Sequence, residues 1–116
     1  FTYIDDVITA IKLCCEKPAS QDPNYDELNL DPSNAKCPHK IFNLGNNKPI
    51  NLMRFIQLLE ENFGIEAIKE FHPMQLGDVK ETFASINKLY KWINFMPKTT
   101  IEEGIQKFAS WYKSYY

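Results

Sequence analysis

Residues 51–64 carry both a helix start and a helix stop, and the rest of the chain has to be arranged around them. Asn51 offers an N-cap oxygen, and Leu52, Phe55, Ile56, Leu59 and Phe63 recur at helical spacing. Gly64 then stands where the backbone can take positive φ and leave the helix. This predicts a helix whose buried face is Phe55, Ile56 and Leu59. Upstream, Ile4, Val7, Ile8, Ile11 and Cys15 keep the same period, with Asp5 and Asp6 in the first turn where the helix dipole favours them. A first helix is expected from Ile4 to about Lys17, ahead of Pro18. Between the two helices, residues 17–40 hold Pro18, Pro23, Pro32 and Pro38 among Asn, Asp and Ser and follow neither period. Such a stretch is a long surface loop.

Downstream, the apolar run Ile41 to Leu44 is stopped by Gly45, Asn46 and Asn47, which fits a buried strand entering a turn. Glu66 to Phe71 alternates apolar and charged residues and reads as a second strand, ended by Pro73. After the loop Met74 to Asp78, the segment Val79 to Ala84 leads to Ser85, which can cap a short helix through Ile86, Leu89, Tyr90 and Ile93, with Asn94 as a left-handed stop. Thr100 and Glu103 form a capping-box pair ahead of a last helix with Ile101, Ile105, Phe108, Tyr112 and Tyr115 in line. The expected fold is one α+β domain over residues 1–116, with four helices and two or three short strands.

Composition narrows the function classes. Thirteen basic residues against fifteen acidic ones leave a net charge of −2, and Arg54 is the lone arginine, so a basic nucleic-acid stripe is not expected. No apolar run reaches the roughly 20 residues that span a bilayer, and the three cysteines lack framework spacing, which points to a reducing, cytoplasmic setting. Aromatic residues make up 14% of the chain, and the sequence opens directly on Phe1 in an aromatic and β-branched stretch. Both features are expected of a piece of a longer protein with a surface made for a partner.

Chemistry-bearing patterns are few. Cys14, Cys15, Cys37 and His39 could be grouped as metal ligands, but adjacent helix residues diverge by about 100°, a poor start for a tetrahedral site. His72 reads as a strand-end residue, and no histidine is paired in sequence with a nucleophile on a strand-to-helix elbow. With four glycines and no Gly-x-Gly-x-x-Gly or phosphate-loop pattern, the chain holds no seat for a dinucleotide or a triphosphate. One segment remains, Pro73-Met74-Gln75-Leu76-Gly77-Asp78. Its polar residues and glycine lie between structured flanks, where ligands are commonly met. An Asp can accept from both hydroxyls of a diol such as ribose, and a Gln can donate to an oxygen of phosphate or base. The alternative for the same residues is a plain Gly-Asp turn.

The order Phe1-Thr2-Tyr3-Ile4-Asp5-Asp6, Phe42-Asn43-Leu44-Gly45-Asn46 with Pro49 and Leu52, and Pro73 to Val79 with Glu81, Thr82 and Ala84 resembles the C-terminal part of the NAD-dependent epimerase/dehydratase family, the extended short-chain dehydrogenases/reductases. The pattern is closest to the UDP-glucuronate 4-epimerase branch. It extends through Pro97 to Thr100 and from Gly104 to Trp111 and Tyr112. Leu76, Ser85 and Asn94 depart from it, where Pro, Asp and Gly are common.

The resemblance implies a two-part enzyme that interconverts UDP-glucuronate and UDP-galacturonate for polysaccharide biosynthesis, by reversible hydride transfer at the C4 carbon. In that reading NAD and the catalytic Ser or Thr, Tyr and Lys belong to an N-terminal Rossmann domain, which also makes the homodimer, and a pyrophosphate-gripping Arg lies just before Phe1. This chain is then the small C-terminal domain: it contributes no catalytic residue, and on its own it is expected to be inactive. Gln75 and Asp78 match nucleotide-contacting positions, with Asp78 at the ribose, and Thr82 lies near the sugar. The alternatives are the same domain of another UDP-sugar epimerase, dehydratase or decarboxylase, or a free-standing aromatic-rich interaction module.

Overall fold

A computed structural model describes residues 1–78 and 82–116. Four helices follow one another: α1 (Ile4–Glu16), α2 (Leu52–Phe63), α3 (Asn87–Ile93) and α4 (Ile101–Tyr115). α2 packs on α4, and α1 on α3.

The helix ends follow the chemistry of their residues. The Asn51 side chain accepts from the Met53 amide, and Gly64 leaves α2 at φ 71° with its N–H on the Glu60 carbonyl. Asn94 closes α3 at φ 51°, the tolerance for left-handed backbone that an Asn offers. The Thr100 hydroxyl accepts from the Glu103 amide at 3.2 Å. The Glu103 carboxylate pairs with Lys107 at 2.8 Å, so this box is closed on one side only. Ser85 does not cap α3: Ile86 holds the N-cap position and its side chain is buried.

The α+β expectation is corrected to an all-helical one for the described residues. Neither residues 41–44 nor residues 66–71 form a strand; a lone antiparallel bridge joins Asn34 and Lys40. A strand is defined by its ladder, and period-2 sequence without a neighbouring strand has nothing to pair with. The long loop is instead built from local turns. The carboxylates of Asp22, Asp26 and Asp31 each accept from the amide two residues on, at 2.9–3.0 Å.

The buried faces also differ from the apolar lines in the sequence. α1 buries Ala10 while Ile4, Ile8 and Ile11 lie more than half exposed. α2 buries Leu58, and Phe55, Ile56 and Leu59 are half-buried. α4 buries Gly104, Ile105 and Ala109, leaving Phe108, Tyr112 and Tyr115 exposed. With Ile86 and Leu89, the apolar core of the described residues is small and fed by small side chains.

The molecule is spread out: its radius of gyration is 18.6 Å, against about 13 Å for a compact domain of this length. Its accessible surface is 9385 Å², where a compact chain of this mass shows about 6,600 Å². The excess carries large apolar side chains, Ile68, Leu76, Phe71, Ile65 and Trp111 among them. Exposed apolar surface on this scale marks an interaction surface.

A polar knot holds the middle together. The Asn46 amide donates to the Thr2 hydroxyl, the Asn46 side chain donates to the Thr99 carbonyl, and the Thr99 amide donates to Asp6. Gly45 sits in this knot with Ala84 so near that an added Cβ would come within 3.0 Å of the Ala84 methyl group. The knot ties residues 45–46 to the starts of α1 and α4, with Ala84, downstream of the Pro73–Asp78 loop, beside Gly45.

Candidate functional site

Residues 75–78 form a β-turn: the Asp78 amide donates to the Gln75 carbonyl at 3.2 Å, and Gly77 takes φ 98°. Positive φ at the third position is the pattern of a type II turn, which a side chain there would strain. Nothing lies within 4 Å of where a Gly77 Cβ would be, so its glycine answers to backbone conformation and not to crowding. Leu76 occupies the second position of the turn, where Pro is favoured, and is fully exposed.

The turn brings Gln75 and Asp78 to the two ends of one hairpin-like bend, both exposed. Thr82 is also exposed. No hydrogen bond joins these three side chains to one another. Val79 and Glu81, which belong to the same motif, lie outside the described residues. Chemically the turn is a carboxylate and a carboxamide on an open rim, able to accept from hydroxyls and to donate to an anionic oxygen.

Asn43 and Ser85 line a cleft of about 310 Å³ together with Asp31, Pro32, Ser33, Ile41 and Lys88. The sequence reading passed over this site. Its signal was Asp31-Pro32-Ser33, an Asx turn in the long loop. Lys88 on α3 reaches across to Asp31 at 2.5 Å and to the Ser33 hydroxyl, so the loop is fastened to the helix. The Lys88 ammonium, helped by the Ser33 amide and hydroxyl, holds the Asp31 carboxyl well below the usual carboxylate range. A depressed carboxyl pKa means that this fastening is complete above about pH 4, the ordinary value, and is lost as pH falls through the lower folded value. Lys88→Met is expected to raise the Asp31 titration midpoint toward the ordinary carboxylate range, with the Ser33 donors still holding it somewhat below, read by the carboxyl carbon resonance. A midpoint that does not move in the variant would place the cause in the Ser33 donors alone.

Cys14 is half-buried on α1 and its thiol is pushed up, by burial first and then by Cys15. Cys37 is exposed in the loop. Among the described residues no cluster of three or more His, Cys, Asp or Glu side chains could hold a metal, and no helix is long and apolar enough to cross a membrane. The glycines stand apart, at the knot, after α2, in the turn and within α4, and none opens a phosphate-cradling loop ahead of a helix. The residues present do not fit NAD.

No family model matches the chain. Individual proteins do, from end to end. Over 116 residues it is 42% identical to Protein CapI of Staphylococcus aureus, covering all of this chain and 35% of that protein. A probable UDP-glucuronate 4-epimerase of Rhizobium meliloti is 36% identical, again over all of this chain and 34% of its own length. UDP-glucuronate 4-epimerase 1 of Arabidopsis thaliana is 33% identical, with 26% of its length covered. The chain thus spans about a third or less of the curated relatives it matches. Similarity that takes in the whole of this chain is more than a shared motif: from end to end the chain is similar to one part of CapI and of proteins named UDP-glucuronate 4-epimerase.

Proposed function

We propose that these 116 residues are the C-terminal nucleotide-sugar-binding domain of a cytoplasmic, NAD-dependent epimerase that converts UDP-glucuronate to UDP-galacturonate. The observation that carries this reading is the end-to-end similarity to proteins named UDP-glucuronate 4-epimerase, at 36% and 33% identity. The excess apolar surface is in keeping with a domain that packs against a larger partner, here the protein's own N-terminal Rossmann domain, through which the enzyme would also dimerise. Three free cysteines suit a reducing compartment.

In this reading the turn is the nucleotide contact. Asp78 accepts from the ribose hydroxyls, Gln75 donates to an oxygen of the base or phosphate, and Thr82 faces the sugar. NAD supplies the redox chemistry when bound to the other domain. The residues of this chain bind and orient the UDP-sugar.

The test is incubation of the longer protein with UDP-glucuronate and NAD, with the sugar products resolved by proton NMR. Formation of UDP-galacturonate is the expected result. Conversion of another UDP-sugar in its place would move the reading to a neighbouring epimerase, dehydratase or decarboxylase. No conversion of any would favour an interaction module. The 116-residue chain alone is expected to show no turnover and no NAD binding, since it lacks the glycine loop that a dinucleotide needs. Epimerisation by the purified chain would contradict this.

A further inference from the structure

Gly45 is buried, and its surroundings are fixed on one side. The next residue, Asn46, donates its amide to the Thr2 hydroxyl at 3.1 Å and its carboxamide to the Thr99 carbonyl at 3.0 Å, and the Thr99 amide donates to Asp6. On the other side is the Ala84 methyl group, 3.0 Å from where a Gly45 Cβ would stand. Gly45 is not one of the glycines with positive φ, so its lack of a side chain answers to this crowding and not to backbone conformation. Carbons in ordinary contact keep about 3.5 to 4 Å. A methyl group at position 45 would therefore drive the two segments apart by several tenths of an ångström, and the Ala84 methyl has no rotamer with which to step aside. The knot resists on the Gly45 side, so the segment that yields is the one with Ala84. Downstream that segment is seated, with Ile86 3% and Leu89 2% exposed. Upstream, two residues before Ala84, stands the exposed Thr82, and in a close-packed contact a push on Ala84 is passed on to it.

We propose that Gly45 is a positioning residue: having no side chain, it lets residues 82–84 lie against the knot and so sets Thr82 where it meets the sugar of a bound nucleotide-sugar. This rests on the reading of Thr82 as a substrate contact. Gly45 itself touches no substrate. It acts through the Ala84 contact, and the same contact makes the effect reversible, because removing the Ala84 methyl clears the space that a methyl at position 45 would fill.

The experiment is steady-state kinetics of the longer protein with UDP-glucuronate, for Gly45→Ala, Ala84→Gly and Thr82→Ala and for Gly45→Ala combined with each of the others, with helical circular dichroism recorded for all. KM is the readout, since a mere loss of folded enzyme lowers kcat and leaves KM alone. Moving a contact by a few tenths of an ångström is expected to raise KM about 10-fold in Gly45→Ala, with the helical signal unchanged. The combination with Ala84→Gly is expected to fall within about 2-fold of Ala84→Gly alone, and Gly45→Ala is expected to add less than about 2-fold in the Thr82→Ala background, because changes acting through one contact do not add. An unchanged KM for Gly45→Ala overturns the proposal, as does a full further loss in the Thr82→Ala background or a failure of Ala84→Gly to rescue. Loss of the helical signal in Gly45→Ala overturns it too, since the contact would then hold the fold and not place Thr82. If the unaltered protein converts no UDP-sugar, the substrate reading fails, and the Thr82 methyl resonance decides the rest. Its displacement in Gly45→Ala and return with Ala84→Gly upholds the control of Thr82 by Gly45, and a resonance that stays in place overturns it.

Discussion

Leu58→Ala is expected to abolish cooperative unfolding of the 116-residue chain and to remove most of its helical circular dichroism. Leu58 is the buried residue of α2, 3% exposed, and α2 is held by its packing on α4. Truncating a buried Leu costs about 2 to 5 kcal/mol, the lost transfer energy plus that of the cavity. A loss of that size is tolerable in a domain with a full core. Here the fully buried apolar side chains include two alanines, and the surface exceeds that of a compact chain by thousands of Å². Aromatic contacts around the helix pair, Phe63 against Phe108 and Tyr112 with ring centroids 6.2 and 5.5 Å apart, are partly open to water and add little to offset the loss. Leu59→Ala, at a half-buried position, should cost less. The check is a urea titration followed by tryptophan fluorescence and circular dichroism. An unchanged midpoint for Leu58→Ala would mean that the α2 and α4 pair does not hold the chain together.

Asp78→Asn in the longer protein is expected to raise KM for UDP-glucuronate and leave kcat nearly unchanged. A carboxylate on the rim of the turn accepts from both ribose hydroxyls, whereas an amide presents one oxygen and turns a donor toward the second hydroxyl. The loss of a charge-assisted hydrogen bond is worth roughly 1.5 to 3 kcal/mol, or about 10- to 150-fold in KM. Ribose is distant from the reacting C4 carbon and is held alike in ground and transition states, so the loss falls on binding. Steady-state kinetics of the two proteins decide it. A large fall in kcat at constant KM would put Asp78 in the chemistry, and no change in either would leave residues 75–78 as a turn and nothing more.

The helices were legible because their signals are local. Asn51, Gly64, Asn94 and Thr100 act on backbone groups within a few residues, and each does in the structure what its chemistry requires. The Gln75–Asp78 turn was legible for the same reason, through Gly77. Sheet formation was not, because a strand depends on a neighbour, and neither Ile41 to Leu44 nor Glu66 to Phe71 has one among the described residues. Burial was misread where periodicity marks an apolar stripe without saying what covers it. Ile4, Ile8 and Ile11 form a regular line on α1, yet each is more than half exposed while Ala10 is buried. The Asp31–Lys88 fastening joins residues 57 apart in the chain, and no spacing rule announces it.

The central claim is the proposal that the Gln75–Asp78 turn meets the nucleotide of a UDP-sugar. It is tested most directly by photolabelling the longer protein with 5-azido-UDP-glucuronate and mapping the modified peptide by mass spectrometry. The account predicts label on the peptide that carries Gln75, Asp78 and Thr82, competed away by UDP-glucuronate. Competable label found only outside these 116 residues would contradict it.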